Sequence, residues 1–491
     1  MKINKKINQK EIAGITLIAL VITIIVLLIL AGISISMLSG DNSILNQAGR
    51  ARDITGQRDI EERIQIAYLG AIANGTGSFD RGKFVDELDN TFGAEKYTLS
   101  TDGSTVTIDG KDYDTGLPGK WSNAEKTAMT SNNITEVTGE DITNNNLKDT
   151  TKIKAVIKDE DNAQIPIPID AEYIEGKEST GVVIKYKNSE FVWVPVPVTT
   201  ENNLYVKGTT KPMARKTTGK DANNRDNYQG TLYGYSGTGN STTSTENTTY
   251  VQGTTSYREP DILENTSYGD WSTNSSRGYA LIKQYIDGMS EKSNTEIQTQ
   301  WTKQVQEEYN AMIESVLKYG GFFVGRYETS YNGTVVASVS GVKPMSAETT
   351  SGETWYGMYQ KQKDFTVSSD KMQANMIWGS QYDAMLNWAI EGADKAHVTA
   401  SNNALHNYSD SSSLLTRTTT ENDTATGLDR INNIYDLEGN LYEWTQEAHG
   451  TYYRVYRGGR YSSSYSPSNR NVSVPDYTGA SSGSRLSLYI K

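Results

Sequence analysis

Hydrophobic positions gather first in one block. From Ile12 to Gly40 no residue is charged, and Lys2, Lys5, Lys6 and Lys10 stand just before it. The apolar centre, Ile12 to Ile35, is 24 residues long. As a helix that is about 36 Å, enough for a hydrocarbon layer of about 30 Å. The lysines predict an N-terminus held inside, with everything past this block delivered outside. The pattern then turns polar, with Ile44, Leu45, Ile60, Ile64, Ile66 and Leu69 keeping a partial helical stripe. Phe79 to Leu88 predicts a second, short helix. Tyr97–Leu99, Thr105–Ile108 and Lys111–Tyr113 read as short strands joined at Asp102-Gly103 and Asp109-Gly110 turns.

Residues 122–150, rich in Asn and Thr, read as a linker. Ala155–Ile157, Val182–Tyr186 and Phe191–Val198 open a second, β-rich domain. The stretch from 205 to 276 is crowded with Thr, Ser, Asn, Gly and Tyr and shows little apolar periodicity, the pattern of a long surface insertion. Trp301, Val305, Tyr309, Met312, Val316 and Tyr319 then recur every three to four residues, predicting a helix over 298–319 stopped by Gly320-Gly321. Gln381 to Ile390 predicts another, shorter one. No solenoid-type repeat is visible.

Within the apolar block, Ala13-Gly14-Ile15-Thr16-Leu17-Ile18-Ala19-Leu20 resembles the start of a type IV prepilin. The resemblance implies cleavage between Gly14 and Ile15 and a long helix behind the cut. It also implies other pilin subunits as partners. The family's usual glutamate at the fifth mature position is Ala19 here, which bears on polymerisation more than on cleavage. A plain anchor is the competing reading; a secretory signal peptide has an apolar region of only about 7–15 residues.

Charge narrows the partners. The chain of 491 residues has a net charge of −12, and removing the first 14 residues would leave −15. An acidic exterior repels phosphate backbones, which argues against nucleic acid. There is no cysteine, so thiol nucleophiles, disulfides and thiolate metal sites are excluded. Tyrosines number 31 against 7 phenylalanines, so most aromatics keep a polar handle suited to wet binding faces.

A second set of motifs follows in order. They are Phe191-Val192-Trp193-Val194-Pro195, Gly320 to Glu328, Trp378 with Tyr382-Asp383-Ala384 and Asn387-Trp388, and Tyr435 to Trp444. Arg454 to Tyr461 and Gly483-Ser484-Arg485-Leu486 complete it. This resembles the formylglycine-generating-enzyme, or sulfatase-modifying-factor, domain, a version of the C-type lectin fold, over about 175–491. Asn440 and Glu443 suit the satisfying of backbone amides in a glycine-containing turn. Gly458-Gly459 permit a bend, and Arg457 and Arg485 suit bridges to buried carboxylates or carbonyls. The resemblance adds a candidate structural Ca2+ site with Asp436 and Asn440 as oxygen ligands; no other cofactor is expected.

The related enzymes use a cysteine pair or a histidine-rich iron site. This chain has no cysteine and only His397, His406 and His449. Gly479-Ala480-Ser481-Ser482-Gly483 matches G-x-S-x-G but has no later histidine, and no Walker loop or complete G-x-G-x-x-G occurs. Catalysis is not expected.

Tyr461 to Ser484 is 24 residues with nine Ser, three Tyr and two Asn, the mixture antibody loops use. It resembles the variable tail of retroelement-diversified proteins. That points to a ligand face with Tyr461, Tyr465 and Tyr477 as anchors and Asn469, Arg470 and Asn471 setting specificity. The bland alternative is a polar loop with no partner.

The expected fold is therefore α+β. A long N-terminal transmembrane and pilin-like helix carries a small antiparallel headgroup, and an irregular C-type lectin-like α+β domain follows. The expected divisions are 1–14 leader, 15–75 helix, 76–121 headgroup, 122–174 linker and strands, and 175–491 lectin-like domain. The expected function is a pilin-like, membrane-anchored adhesin at the bacterial cell surface that binds an extracellular protein or glycan. The alternatives are a divergent sulfatase-modifying-factor-type enzyme, formylglycine-generating or nonheme iron, and a minor pilin capping a filament tip.

Overall fold

The computed structural model describes residues 44–74, 81–100, 104–115, 120–196, 198–200, 203–205, 212–231, 235–236, 245–246, 257–260, 277–346, 354–392, 430–450, 453–461 and 465–491. Over these the chain is mixed α/β, with seven helices and several sheets. It divides into two compact units, 1–122 and 123–491.

The expected fold class is corrected at its first element. Among the described residues no helix is long and apolar enough to cross a membrane. The long helix observed is Ile44–Asn74, of 31 residues. Its length would suffice, but Arg58, Asp59, Glu61, Glu62 and Arg63 lie on its exposed surface, and such a density of charge is too costly in hydrocarbon. The apolar block at 12–35 and the Gly14–Ile15 junction lie outside the described residues. The membrane-anchored, cell-surface location drawn from that block is corrected with it.

In the first unit, Ile64, Ala67 and Ala71 of this helix recur at three and four residues and are buried against Phe84 and Leu88 of the helix Arg81–Phe92. The strands Tyr97–Leu99, Thr105–Ile108 and Lys111–Asp114 form one antiparallel sheet, closed at the second turn by Asp109 and Gly110 in left-handed conformation. Val106, Ile108 and Tyr113 complete the core.

The second unit begins where a linker was expected. Residues 122–150 contain the helix Asn123–Ser131, the strand Thr135–Val137 and a turn that buries Leu147. Local Asn and Thr content says little once Ile134, Val137, Ile142 and Leu147 supply a buried side. Part of the 205–276 insertion is ordered too, because Pro212–Lys220 and Asp226–Gly230 pair and bury Met213, Ala214 and Tyr228.

At its centre lies a six-stranded antiparallel sheet. Its order is Met372–Met376, Leu486–Ile490, Gly321–Gly325, Ser189–Pro195, Val183–Tyr186 and Ala171–Glu175. The last strand of the chain is thus inserted between two earlier ones. The helix Asn294–Tyr319 buries Ile297, Trp301, Val305, Tyr309, Met312, Ile313 and Val316, the predicted stripe extended by a turn. Ser293 and Glu296 form a capping box at its start, and Gly320, at φ 82°, ends it. Ser293→Ala is expected to cost about 1 kcal/mol, read as a lower urea midpoint at unchanged slope.

A second sheet carries the Tyr442–Trp444, Arg454–Arg457 and Ser482–Ser484 motif segments. Tyr257–Arg258, Tyr442–His449, Tyr453–Arg457 and Arg470–Ser473 are antiparallel neighbours, and Ser482–Ser484 runs parallel to Tyr442–Trp444.

Candidate functional site

The tail of the second unit rests on two buried charge clusters. In the first, Arg485 is fully buried and donates through Nε to both oxygens of Glu443 at 3.0 Å. It also donates to the Gly325 carbonyl at 2.9 Å and the Tyr435 carbonyl at 2.7 Å. One planar fork therefore ties three separate segments. Beside it, the Glu328 carboxylate accepts from the Leu441 N–H at 3.0 Å and from the Asn440 amide. Burial, then the neighbouring Asp436 and Glu443, push the Glu328 carboxyl well above its usual range, against the pull of Arg485.

In the second cluster, Arg457 and Arg470 share Asp383 at 2.8 and 2.9 Å, and Arg470 also meets Glu447 at 2.9 Å. Arg454 lies 4.2 Å over the Trp355 ring and donates to the Gln446 carbonyl at 2.8 Å. All of these side chains are buried.

The glycines explain the bend. A Cβ on Gly459 would stand 1.8 Å from the Glu438 carbonyl, and one on Gly458 2.6 Å from that of Leu437. The Arg-Gly-Gly segment crosses directly over the 436–440 turn, where Asp436 and Asn440 take left-handed φ of 60° and 59°. Tyr461 N–H then bonds the Asn440 carbonyl at 2.8 Å.

This geometry redistributes the expected ligand residues. Asn469 and Arg470, expected to set specificity, are buried at about 1% exposure. Asn469 closes the neck of the tail, its carbonyl accepting from Gly458 N–H at 3.1 Å. Tyr465 is also turned inward, stacked on Tyr442 at 6.0 Å. Tyr461 and Asn471 are half-buried, and Tyr477 is 40% exposed with its ring over Gly479. Specificity residues cannot be told from framework in the sequence when both are polar and adjacent.

The structure adds residues that the sequence reading missed. Tyr453 is 36% exposed. Tyr456 packs 4.6 Å from Tyr442 and 5.1 Å edge-on to Trp444. Arg460 lies 5.3 Å over Tyr442 and donates to Ser481 at 3.0 Å. Burial, then the nearby Tyr477, push the Tyr456 hydroxyl up to about 12, so it stays a neutral donor at any working pH. The Tyr-Tyr-Arg-Val-Tyr-Arg run at 452–457 was the available signal. Its tyrosines flank inward arginines.

The proposed calcium ligands fare differently. Asn440 Nδ2 and the Leu441 N–H both point at Glu328, so the turn presents donors, and the Arg485 guanidinium fills the side toward Glu443. Asn440 therefore turns a donor, not an oxygen ligand, toward Glu328. Among the described residues no group of three His, Cys, Asp or Glu side chains could hold a metal. Ser481 precedes the strands Ser482–Ser484 and Leu486–Ile490, not the strand-to-helix elbow of a hydrolase nucleophile.

No family model and no curated protein matches the chain. Among solved structures it is similar to the crystal structure of CarF, at 12% identity and a TM-score of 0.23, over 35% of this chain and 87% of that one. So low a score carries no argument.

Proposed function

We propose that the second unit is a ligand-binding module, its contact surface formed by Tyr453, Tyr456, Tyr461 and Tyr477 with Arg460 and Asn471. The scaffold motifs resemble those of sulfatase-modifying-factor domains, and their task here is structural. One observation carries the proposal: these tyrosines keep some water contact while the backbone beneath them is pinned by buried arginines. Rigid, amphipathic rings on a preorganised backbone lose little entropy on binding. The suited ligand is a protein or a glycan with apolar patches and hydroxyl or amide groups; Arg460 adds a cation for a carboxylate.

The full chain can be screened on protein and glycan arrays and each hit retested with Tyr461→Ala/Tyr477→Ala. The expected result is a loss of at least about tenfold in affinity, with stability unchanged within about 0.5 kcal/mol. Affinity that survives the double substitution would assign binding to another face.

A further inference from the structure

The helix Asn294–Tyr319 carries Ala311, Glu314, Ser315 and Lys318 at spacings of three and four residues, so they share one face. That face meets the central sheet where Gln373 and Tyr489 are direct cross-strand partners. With Ile490, Lys491 and Arg225 these residues line a cleft of about 270 Å³. Drug-sized ligands occupy pockets of about 300 Å³ and upward, so this one suits a smaller molecule.

The polar groups of the cleft are held in place but not used up. Arg225 gives its backbone N–H and Nε to Asp221 at 2.9 and 2.8 Å, and Asn310 donates to Asp221 from the helix at 3.2 Å. That fixes the guanidinium and leaves its two terminal nitrogens for an anion. Gln373 donates through Nε2 to the Thr366 hydroxyl at 3.3 Å and the Ala374 carbonyl at 3.0 Å, which leaves its oxygen as an acceptor. Lys491 Nζ is turned away, to the carbonyls of Val367 and Ser368. Ser315 is 4% exposed, and its Oγ has no hydrogen-bond partner. Among the described residues nothing pairs with the Glu314 carboxylate or the Lys318 ammonium.

We infer that this cleft binds a small free α-amino acid, Glu314 taking its ammonium and Lys318 with Arg225 its carboxylate. The signs rule out simpler ions. A plain anion would meet Glu314, and a plain cation would meet Arg225 and Lys318; a zwitterion satisfies both. Glu314 and Lys318 are about 6 Å apart along the helix, a span that an ammonium and its adjacent carboxylate bridge with one ion contact at each end. Burial, the larger cause, raises the Glu314 carboxyl, while Arg225 and Lys318 oppose it. An arriving ammonium would oppose it too, which favours the paired state. The Gln373 oxygen and Ser315 Oγ offer the ammonium neutral acceptors. Ala311, Ile490 and the Tyr489 ring favour an aliphatic side chain. None of these residues belongs to the tyrosine face, so the inference stands apart from that reading.

Calorimetric titration of the full chain with each of the twenty L-amino acids tests it. At least one of leucine, isoleucine, valine and methionine is expected to bind with a Kd below about 1 mM. Its N-acetyl and amide derivatives, which lack the ammonium and the carboxylate in turn, should bind at least about tenfold more weakly. Glu314→Gln and Lys318→Met should each bring a similar loss, with urea midpoints close to wild type. Ala311→Phe fills the cleft without touching either charge and should abolish binding. The inference is overturned if no amino acid reaches that affinity, or if E314Q, K318M or A311F keeps it. Inorganic phosphate or either derivative binding as tightly as the parent would also overturn it, because one charge would then suffice. Should a variant not fold, the derivatives decide on the wild-type chain.

Discussion

Arg485→Met is expected to cost about 3–5 kcal/mol and to abolish cooperative folding of the second unit near room temperature. The guanidinium is fully buried and gives donors to Glu443, Gly325 and Tyr435. Removing it strands a carboxylate and two carbonyls away from water, and each orphan carbonyl adds about 1–3 kcal/mol. Glu443→Leu in the same chain should restore part of the loss, since it removes the uncompensated charge but not the stranded carbonyls. Urea unfolding followed by near-ultraviolet circular dichroism reads both. An Arg485→Met protein within 1 kcal/mol of wild type, a bound about a third of the expected cost, would show that the fork is not what joins the three segments.

Arg470→Met is expected to cost about 3 kcal/mol at neutral pH and to loosen the tail. It removes the partner that Asp383 and Glu447 share, leaving Arg457 between two carboxylates. Burial already raises the Glu447 carboxyl against the pull of Arg470 and Arg457, and loss of Arg470 raises it further. A carboxyl whose folded pKa is raised favours the folded state in acid. The deficit should therefore be smaller at pH 5 than at pH 8, and hydrogen exchange at 461–473 should be faster even where the unit stays folded. A deficit equal at pH 5 and pH 8 would mean that the lost stability comes from packing and not from charge. Together with the tyrosine double substitution, this separates scaffold from contact surface. R470M should damage binding and stability together, Y461A/Y477A binding alone.

Much of the element pattern was legible because it depends on local periodicity. Trp301 to Tyr319 repeats every three to four residues over a length no strand reaches, and the structure has a helix there, begun one turn earlier by the Ser293–Glu296 box. The strand pairs around Asp109-Gly110 follow from a turn that only small or left-handed residues can make. Arg457 and Arg485 were readable as internal bridges because an arginine in a glycine-bracketed motif near acids has few other uses. The helix and strand within 122–150 are not legible in the sequence because Asn and Thr dominate it, while its four buried aliphatics are too widely spaced to form a periodic signal. The membrane-spanning expectation rests on the apolar block, its flanking lysines and the prepilin resemblance, and no described helix is long and apolar enough to carry it.

The sequence by itself determined the absence of thiol chemistry, the acidic balance, the helices and turns with strong periods, and the wealth of tyrosine. It also located a Tyr/Ser/Asn tail between two glycine-arginine motifs. Only the tertiary structure decided which tail residues face water. Arg470 and Tyr465 point inward because Asp383, Glu447 and Tyr442, well before them in the chain, supply their partners, and Asn469 because it bonds Gly458. It likewise placed Glu259 against a helix start 120 residues later. Polarity is a property of a residue, but exposure is set by whatever the rest of the chain brings to it, and no local pattern encodes that.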